Sequence, residues 1–380
     1  MKDRLKRASR ILGRVLLVLL IIALLPSVFG LSRAIIACRM WEPSAANELG
    51  SADQDPRVEE ITSQIEGYTR AEDQTYLTFP EWYIVYSTDE YAAFIQDNPP
   101  SHFPYFKAIG QYWTSYNEIC AVTHARYPLN GSYQFTLGFI GVSFTAENMI
   151  KGLYETTVGR VTEWVSEGGQ TEEDVYAAQV ALDYGAFLHY VPWYDFPFGE
   201  KLSGLWSDVP LWGPHMTRKL ERRVALTTEY GIKALYGGFI SKAARLTYGG
   251  PDETKIHAVA EGVTDEMLNE DFEVVQSIDD ERDVILITRY EDFSRNIPPL
   301  MKDGLTFVDI AGNDEILVTI FGPQDGGYNL EYGEYLFELP VLTETGAARI
   351  AIKVRVDELH LLIEELDQQN RYRFEHIYDY

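Results

Sequence analysis

The first strong pattern in the chain is a run with no polar interruption. Residues 15–32 carry no charge and are mostly Leu, Ile and Val. As a helix rising ~1.5 Å per residue, such a run reaches ~27 Å, close to the hydrocarbon thickness of a bilayer. Pro26 falls inside it and predicts a kink. Six basic side chains precede the run (Lys2, Arg4, Lys6, Arg7, Arg10, Arg14), whereas Arg33 and Arg39 follow it. The positive-inside rule then places residues 1–14 in the cytoplasm, a transmembrane helix at 15–36, and the remaining body on the extracytoplasmic side. An uncleaved signal anchor is favoured over a cleaved signal peptide, because the run exceeds the usual apolar core of a signal and no clean small-x-small site follows. Ile35-Ile36-Ala37-Cys38 resembles a lipoprotein cleavage box, but Arg33 interrupts it, so Cys38 reads as an ordinary juxtamembrane thiol.

Beyond the anchor the pattern loses its apolar periodicity. Residues 37–75 are polar and acidic, which predicts a tether with a short helix at Pro56–Gly67. Residues 76–250 show mainly helical spacing. Thr78-Phe79-Pro80-Glu81 looks like a helix start, and Ser87-Thr88-Asp89-Glu90 like a second one opening Tyr91–Gln96. Tyr133–Phe144 is apolar but short, which predicts buried core. Glu147–Val165 places Ile150, Leu153, Tyr154, Val158, Val161 and Trp164 at helical intervals, with Glu147, Lys151 and Glu155 as a salt-bridged outer stripe. Thr171-Glu172-Glu173-Asp174 opens a helix carrying Val175, Leu182 and Phe187. A long helix is expected from about Thr217 to Tyr248, ending at Gly249-Gly250-Pro251.

After Pro251 strand-type runs take over: Ile256–Val263, Val284–Tyr290, Thr306–Ala311, Ile316–Phe321, Tyr335–Leu342, Ile350–Val356 and Tyr372–Tyr378. Helical patterns at Glu291–Lys302 and Asp357–Gln369 interrupt them. That order predicts a C-terminal α/β domain of split βαβ type over 251–380, a ferredoxin-like layer, with Gly312-Asn313-Asp314 as a hairpin turn. No repeat of 20–50 residues is evident. The whole chain is therefore expected to be α+β: an N-terminal transmembrane helix, a helical aromatic-rich middle domain and the α/β layer.

Charge sharpens this picture. The chain has 32 Lys and Arg against 58 Asp and Glu, a net charge of −26. Residues 1–14 contribute +5, which leaves −31 for the rest. A body of that charge is not suited to coat nucleic acid. Two cysteines, Cys38 and Cys120, cannot build a disulfide framework, a four-cysteine zinc site or a CxxC redox pair. Cys120, among Ile119, Ala121 and Val122, reads as an inert buried thiol.

Against that acidic background, residues 215–245 hold seven basic and two acidic side chains. On a helical wheel, Leu220, Val224, Ile232, Leu235 and Phe239 share one side, while Arg218, Lys219, Arg222, Arg223 and Lys233 spread over the other. Lys242 falls on the apolar side. Directly before this helix, Tyr190–Pro214 concentrates aromatic residues, including Trp193, Trp206 and Trp212. A basic amphipathic helix beside amphipathic aromatics suits anionic headgroups at a membrane interface. Arg218, Lys219, Arg222, Arg223, Lys233, Trp193, Trp206 and Trp212 are thus the candidate membrane or anionic-ligand contacts.

Enzymatic signals are thin. The seven histidines show no metal-ligand spacing, and no GxSxG, SxxK or phosphate-loop motif occurs. No cofactor fingerprint is present. Glu81, Glu118, Glu147 and Asp183 are the carboxylates an acid–base pair could draw on. The expectation is a single-pass membrane protein, an accessory or binding protein for a lipid-soluble ligand or membrane-protein partner. The alternative is a membrane-surface enzyme using those carboxylates on an anionic substrate.

Overall fold

The computed structural model describes residues 25–38, 55–124, 126–247 and 254–379. The first ten residues of the expected transmembrane run, and residues 39–54 of the expected tether, lie outside the described residues. The chain is α+β: helices followed by two antiparallel sheets.

The helical half begins with α1 (25–37). It continues through α2 (Pro56–Thr62), α3 (Gln74–Leu77), α4 (Phe79–Asp97), α5 (Tyr105–His124) and α6 (Gly131–Tyr154). A π turn, Glu155–Gly159, carries α6 without a break into α7 (Arg160–Val165). Then follow α8 (Glu172–Leu188), α9 (Phe198–Ser207) and α10 (Met216–Thr247). Local chemistry explains several starts. Asn130 accepts from the Tyr133 N–H to cap α6. Thr171 and Asp174 form a reciprocal capping box at α8. Ser87-Thr88-Asp89-Glu90 does not start a helix. It lies inside α4, which Thr78 and Pro80 have already opened, so its amides already have helical partners.

The sheet half holds a symmetry. The first sheet, β1 (Lys255–Glu261), β2 (Phe272–Ser277), β3 (Arg282–Thr288) and β4 (Thr306–Ile310), has the order β2-β3-β1-β4. The second, β5 (Glu315–Pro323), β6 (Glu334–Pro340), β7 (Ala347–Arg355) and β8 (Arg373–Tyr378), has the order β6-β7-β5-β8. In each, the third strand leads through one helix, α11 (Glu291–Lys302) or α12 (Leu359–Gln368), to the fourth strand on the far side of the first. Each is therefore a split βαβ with a hairpin strand added. Even the irregularities repeat. The register shifts between Val259 and Ala260 in one unit and between Thr319 and Ile320 in the other. It shifts again between Val274 and Gln276, and between Tyr335 and Phe337. Bulges at matching places in two sheets of one order mark a duplicated unit of about 60 residues.

Three sequence expectations change here. The single ferredoxin-like layer is replaced by two four-stranded sheets. Gly312-Asn313-Asp314 is not a hairpin turn within a sheet, because β4 and β5 belong to different sheets. The strand β2 escaped the sequence reading because it is an edge strand, buried only at Phe272, with no apolar face to alternate.

The two units share one core. Ile285, Phe293, Ile297 and Phe307 of the first meet Ile320, Ile352 and Leu362 of the second. Their outer faces are covered differently. Val58 and Tyr68 cover Val259 and Val284 of the first sheet. Tyr68 Oη also donates to Asp309 Oδ1. The short helix expected at Pro56–Gly67 forms over Pro56–Thr62, and the segment from it to Tyr68 is docked on the first sheet. Tyr76, Phe79 and Trp82 cover Leu317, Ala351 and Tyr378 of the second sheet. The Phe79 and Phe337 rings meet edge-on at 5.1 Å.

Candidate functional site

The long helix α10 has the amphipathic character that the sequence predicts, with the opposite orientation. Its basic side is inside. Arg222, 2% exposed, places Nη1 2.8 Å from Glu155 Oε1 and Nη2 2.7 Å from Glu221 Oε1. Lys219, 1% exposed, reaches Glu173 Oε2 at 2.9 Å and Glu172 Oε2 at 2.6 Å. Arg223 Nη2 shares Glu173 at 2.6 Å. Arg218 pairs with Asp174 at 3.0 Å. Lys233 pairs with Glu147 at 2.7 Å. A buried charge requires such a partner, because an isolated one would be far too costly to desolvate.

Its apolar side is outside. Leu220, Val224, Ile232, Leu235 and Phe239 are all exposed, Leu235 to 81%. The same reversal holds for α6 and α7. Glu147, Lys151 and Glu155, expected as an outer stripe, face α10, where they bond Lys233, Glu229 and Arg222. Phe135, Phe139, Ile150, Val161 and Trp164 face out, Phe135 to 77% and Trp164 to 80%. The apolar segment Tyr133–Phe144 is thus only half core: Leu137 and Phe144 are buried, Phe135 and Phe139 are not. In α8, too, Val175 and Leu182 are exposed, while Ala177, Ala178 and Ala181 face inward.

The partner order fixes the geometry. Residues 147, 151, 155 and 162 meet residues 233, 229, 222 and 218 in turn, so α6–α7 and α10 run antiparallel along their length. The pair forms a layer with charge on its inner side and hydrocarbon on its outer side.

The helix α1 lies against α5 and α6. Leu31 approaches Gly138 of α6, and Gly30 lies so close to Trp113 of α5 that a Cβ there would sit 2.3 Å from the indole. Ser27, Ala34 and Cys38 are buried, while Leu25, Val28, Phe29 and Ile36 face out. Cys38 is joined to Cys120 of α5 in a disulfide, with Cα atoms 4.7 Å apart. Neither cysteine is the free thiol that its neighbourhood suggested. The two lie 82 residues apart in sequence, and helix docking alone brings them together.

A second polar assembly joins the helices to both units of the sheet half. His189, after α8, sits between Asp89 Oδ2 at 2.7 Å and Glu291 Oε2 at 3.0 Å. Burial opposes its charge, but hydrogen bonds to the two carboxylates outweigh this and raise its pKa to about 10. His376 of β8 is buried beside Trp82, ring centres 3.7 Å apart. Its Nδ1 is 2.8 Å from Ser294 Oγ, which accepts from the Ile377 N–H at 2.9 Å. Burial, and then the charge on His189, push His376 well below the ordinary imidazole value, so it is neutral. Nearby, Arg289 Nε donates to Asp379 Oδ2 at 2.6 Å. Burial raises the Glu81 carboxyl to about 7, against a Tyr133 hydrogen bond and the charge of Arg289. This assembly reads as an internal clamp, since Ser294 and His376 are closed off from solvent.

Three of the four carboxylates proposed from sequence have separate partners. Glu147 pairs with Lys233, Asp183 pairs with Lys201, and Glu81 is half-buried beside Tyr133. Among the described residues, no group of three or more His, Cys, Asp or Glu side chains is arranged to hold a metal ion. Of the three Trp candidates, Trp206 and Trp212 are exposed. Trp193 is half-buried and stacks on Tyr236 at 5.3 Å. Lys242 is exposed. Sequence reasoning missed the acidic partners Glu155, Glu172, Glu173, Asp174 and Glu229. A signal existed: the charges at 147, 151 and 155 are opposite in sign to those at 233, 229 and 222, read in reverse. Among the described residues no helix is long and apolar enough to cross a membrane. The chain matches no family model, no curated protein and no solved structure.

Proposed function

We propose that the protein is a single-pass, membrane-anchored accessory or binding protein, with a cytoplasmic N-terminus and a large extracytoplasmic body that serves a lipid-soluble ligand or a membrane-protein partner. The observation that carries the reading is the docking of α1. The helix containing the second half of the apolar run is disulfide-bonded to the body, so that this half and the body are one object. The disulfide adds an independent argument for sidedness, since such bonds form and persist in oxidising compartments and are rare in the cytosol. That agrees with the positive-inside orientation, which uses different residues. The dispersal of Glu81, Glu147 and Asp183 among separate partners favours this reading over a membrane-surface enzyme.

The test is topology. The full chain, expressed in cells and fractionated, is expected in the carbonate-resistant membrane pellet, with its body open to protease only from the extracytoplasmic side. Its two cysteines are expected to react with a maleimide only after reduction. A chain that stays in the supernatant, or one whose cysteines alkylate without reduction while its body faces the cytoplasm, would overturn the proposal.

A further inference from the structure

We infer that the outer faces of α6–α7 and α10 are seated in bilayer hydrocarbon, beside the anchor. The inference rests on the anchor reading and adds a lipid contact made by the body itself.

Depth is the first argument. The α1 residues within the apolar run, Ser27, Gly30 and Leu31, are packed against the body, where Leu31 meets Gly138. If the anchor is in the membrane at residue 31, then α6 at residue 138 is at the same depth. Phe135 and Phe139 flank that contact and face outward.

The second argument is the distribution of charge. Every acidic or basic residue from Glu147 to Glu163 is bonded to another part of the protein. Glu147, Lys151 and Glu155 pair with α10; Arg160 donates to the Ser101 carbonyl; Glu163 pairs with His102. From Arg218 to Lys233 every charge is likewise paired. A helix layer that pairs its charges within the protein from Glu147 to Glu163 and from Arg218 to Lys233, with the exposed Lys242 beyond them near the end of α10, and turns its Leu, Ile and Phe outward has the polarity favoured by a hydrocarbon solvent. In water a contiguous apolar patch of this kind is uncommon.

The third argument is the packing between helices. Close approach of α1, α5 and α6 runs through Gly30, Gly138 and Gly141, where a Cβ on Gly141 would lie 2.3 Å from the Tyr112 ring. Small residues at helix contacts are the usual means of association where lipid removes the hydrophobic drive. Phosphatidyl chains, rather than a second copy or a soluble partner, are therefore the occupant.

The experiment uses the full chain in vesicles of phosphatidylcholine and phosphatidylglycerol with radiolabelled acyl chains. The photoreactive residue p-benzoylphenylalanine replaces, one at a time, Val28, Phe139, Leu235 and, as a control on the edge strand β2, Val275. Gel mobility before and after reduction verifies that each variant has formed the Cys38–Cys120 bond. Using two positions on the face guards against one misfolded variant. Labelled lipid adducts at 139 and 235, within about twofold of the yield at 28 and at least fivefold above 275, are expected. Labelling at 28 alone overturns the inference and leaves the anchor reading intact. Labelling at 139 and 235 without 28 overturns the anchor reading and leaves the lipid face standing. Adducts of doubled protein mass at 139 or 235 would assign the face to a second copy and overturn the inference.

Discussion

The two halves of this molecule solve the burial problem in opposite ways. In the sheet half, apolar side chains converge: Ile285, Ile320, Ile352 and Leu362 meet in one dry core. In the layer of α6–α7 and α10, charges converge and hydrocarbon faces out. The sheet half is stable in water by area removed from solvent. The helix layer is held by paired charges, whose attraction is strong only because the site is dry, and which become a liability if one partner is lost. The difference teaches that the solvent of a surface can be read from what lies beneath it.

The sharpest way to break the comparison is to remove one inner charge. Glu173 is fully buried and serves both Lys219 and Arg223. Glu173→Gln takes the carboxylate from Arg223, leaves Lys219 with Glu172 alone, and is expected to cost ~3–5 kcal/mol. The check is a thermal or denaturant unfolding curve of the detergent-solubilised chain, and a loss below 1 kcal/mol would mean that the layer does not depend on its charges. In the sheet half, Ile352→Ala should cost ~2–4 kcal/mol through an apolar cavity, measured in the same way. Neither cost should respond strongly to salt, the Ile352 cost because it is apolar and the Glu173 cost because the cluster is buried; a Glu173 cost that shrinks with salt would show that water and ions reach the cluster.

The clamp between the halves gives a pH test. His189 has a folded pKa of about 10, above its unfolded value of 6.5. A raised value means that its contribution is complete below pH 6.5 and declines as pH rises through 10. His189→Gln is therefore expected to lose ~1–3 kcal/mol near pH 6, with the gap to the parent narrowing steadily towards pH 10. A gap independent of pH would assign the residue a packing role. The smallest effect belongs to the outer face. Leu235 is so exposed that Leu235→Gln should change unfolding stability in detergent by no more than ~0.5 kcal/mol. A cost of 2 kcal/mol would show that the outer face is covered by protein, contrary to the lipid contact.

Much of the fold is legible in the chain. The helix α11 spans Glu291–Lys302 as its pattern predicts, α8 begins at its capping box, and among the described residues seven of the eight strands coincide with apolar runs. These features depend on local chemistry: caps, period and turn residues. The candidate site was legible in residue content and illegible in direction. A wheel separates Arg222 from Leu235, but it cannot say which side is the interior. The choice depends on Glu155 and Glu173, which come from other helices. The 60-residue duplication was also hidden, because a strand order and a pair of bulges can be shared without shared side chains.

By itself, the sequence determined the apolar run at 15–32, the basic flank before it, the helical and strand regions and the amphipathic division of α10. All of these are properties of neighbouring residues, governed by periodicity and charge over a few turns. Only the tertiary structure decided that Cys38 meets Cys120, that two sheets replace one, and that the basic side of α10 faces inward. Those outcomes depend on partners tens to hundreds of residues away. The physical reason is that a charged face is stable inside only when its counter-charges arrive there too, and their arrival is a property of the assembled chain.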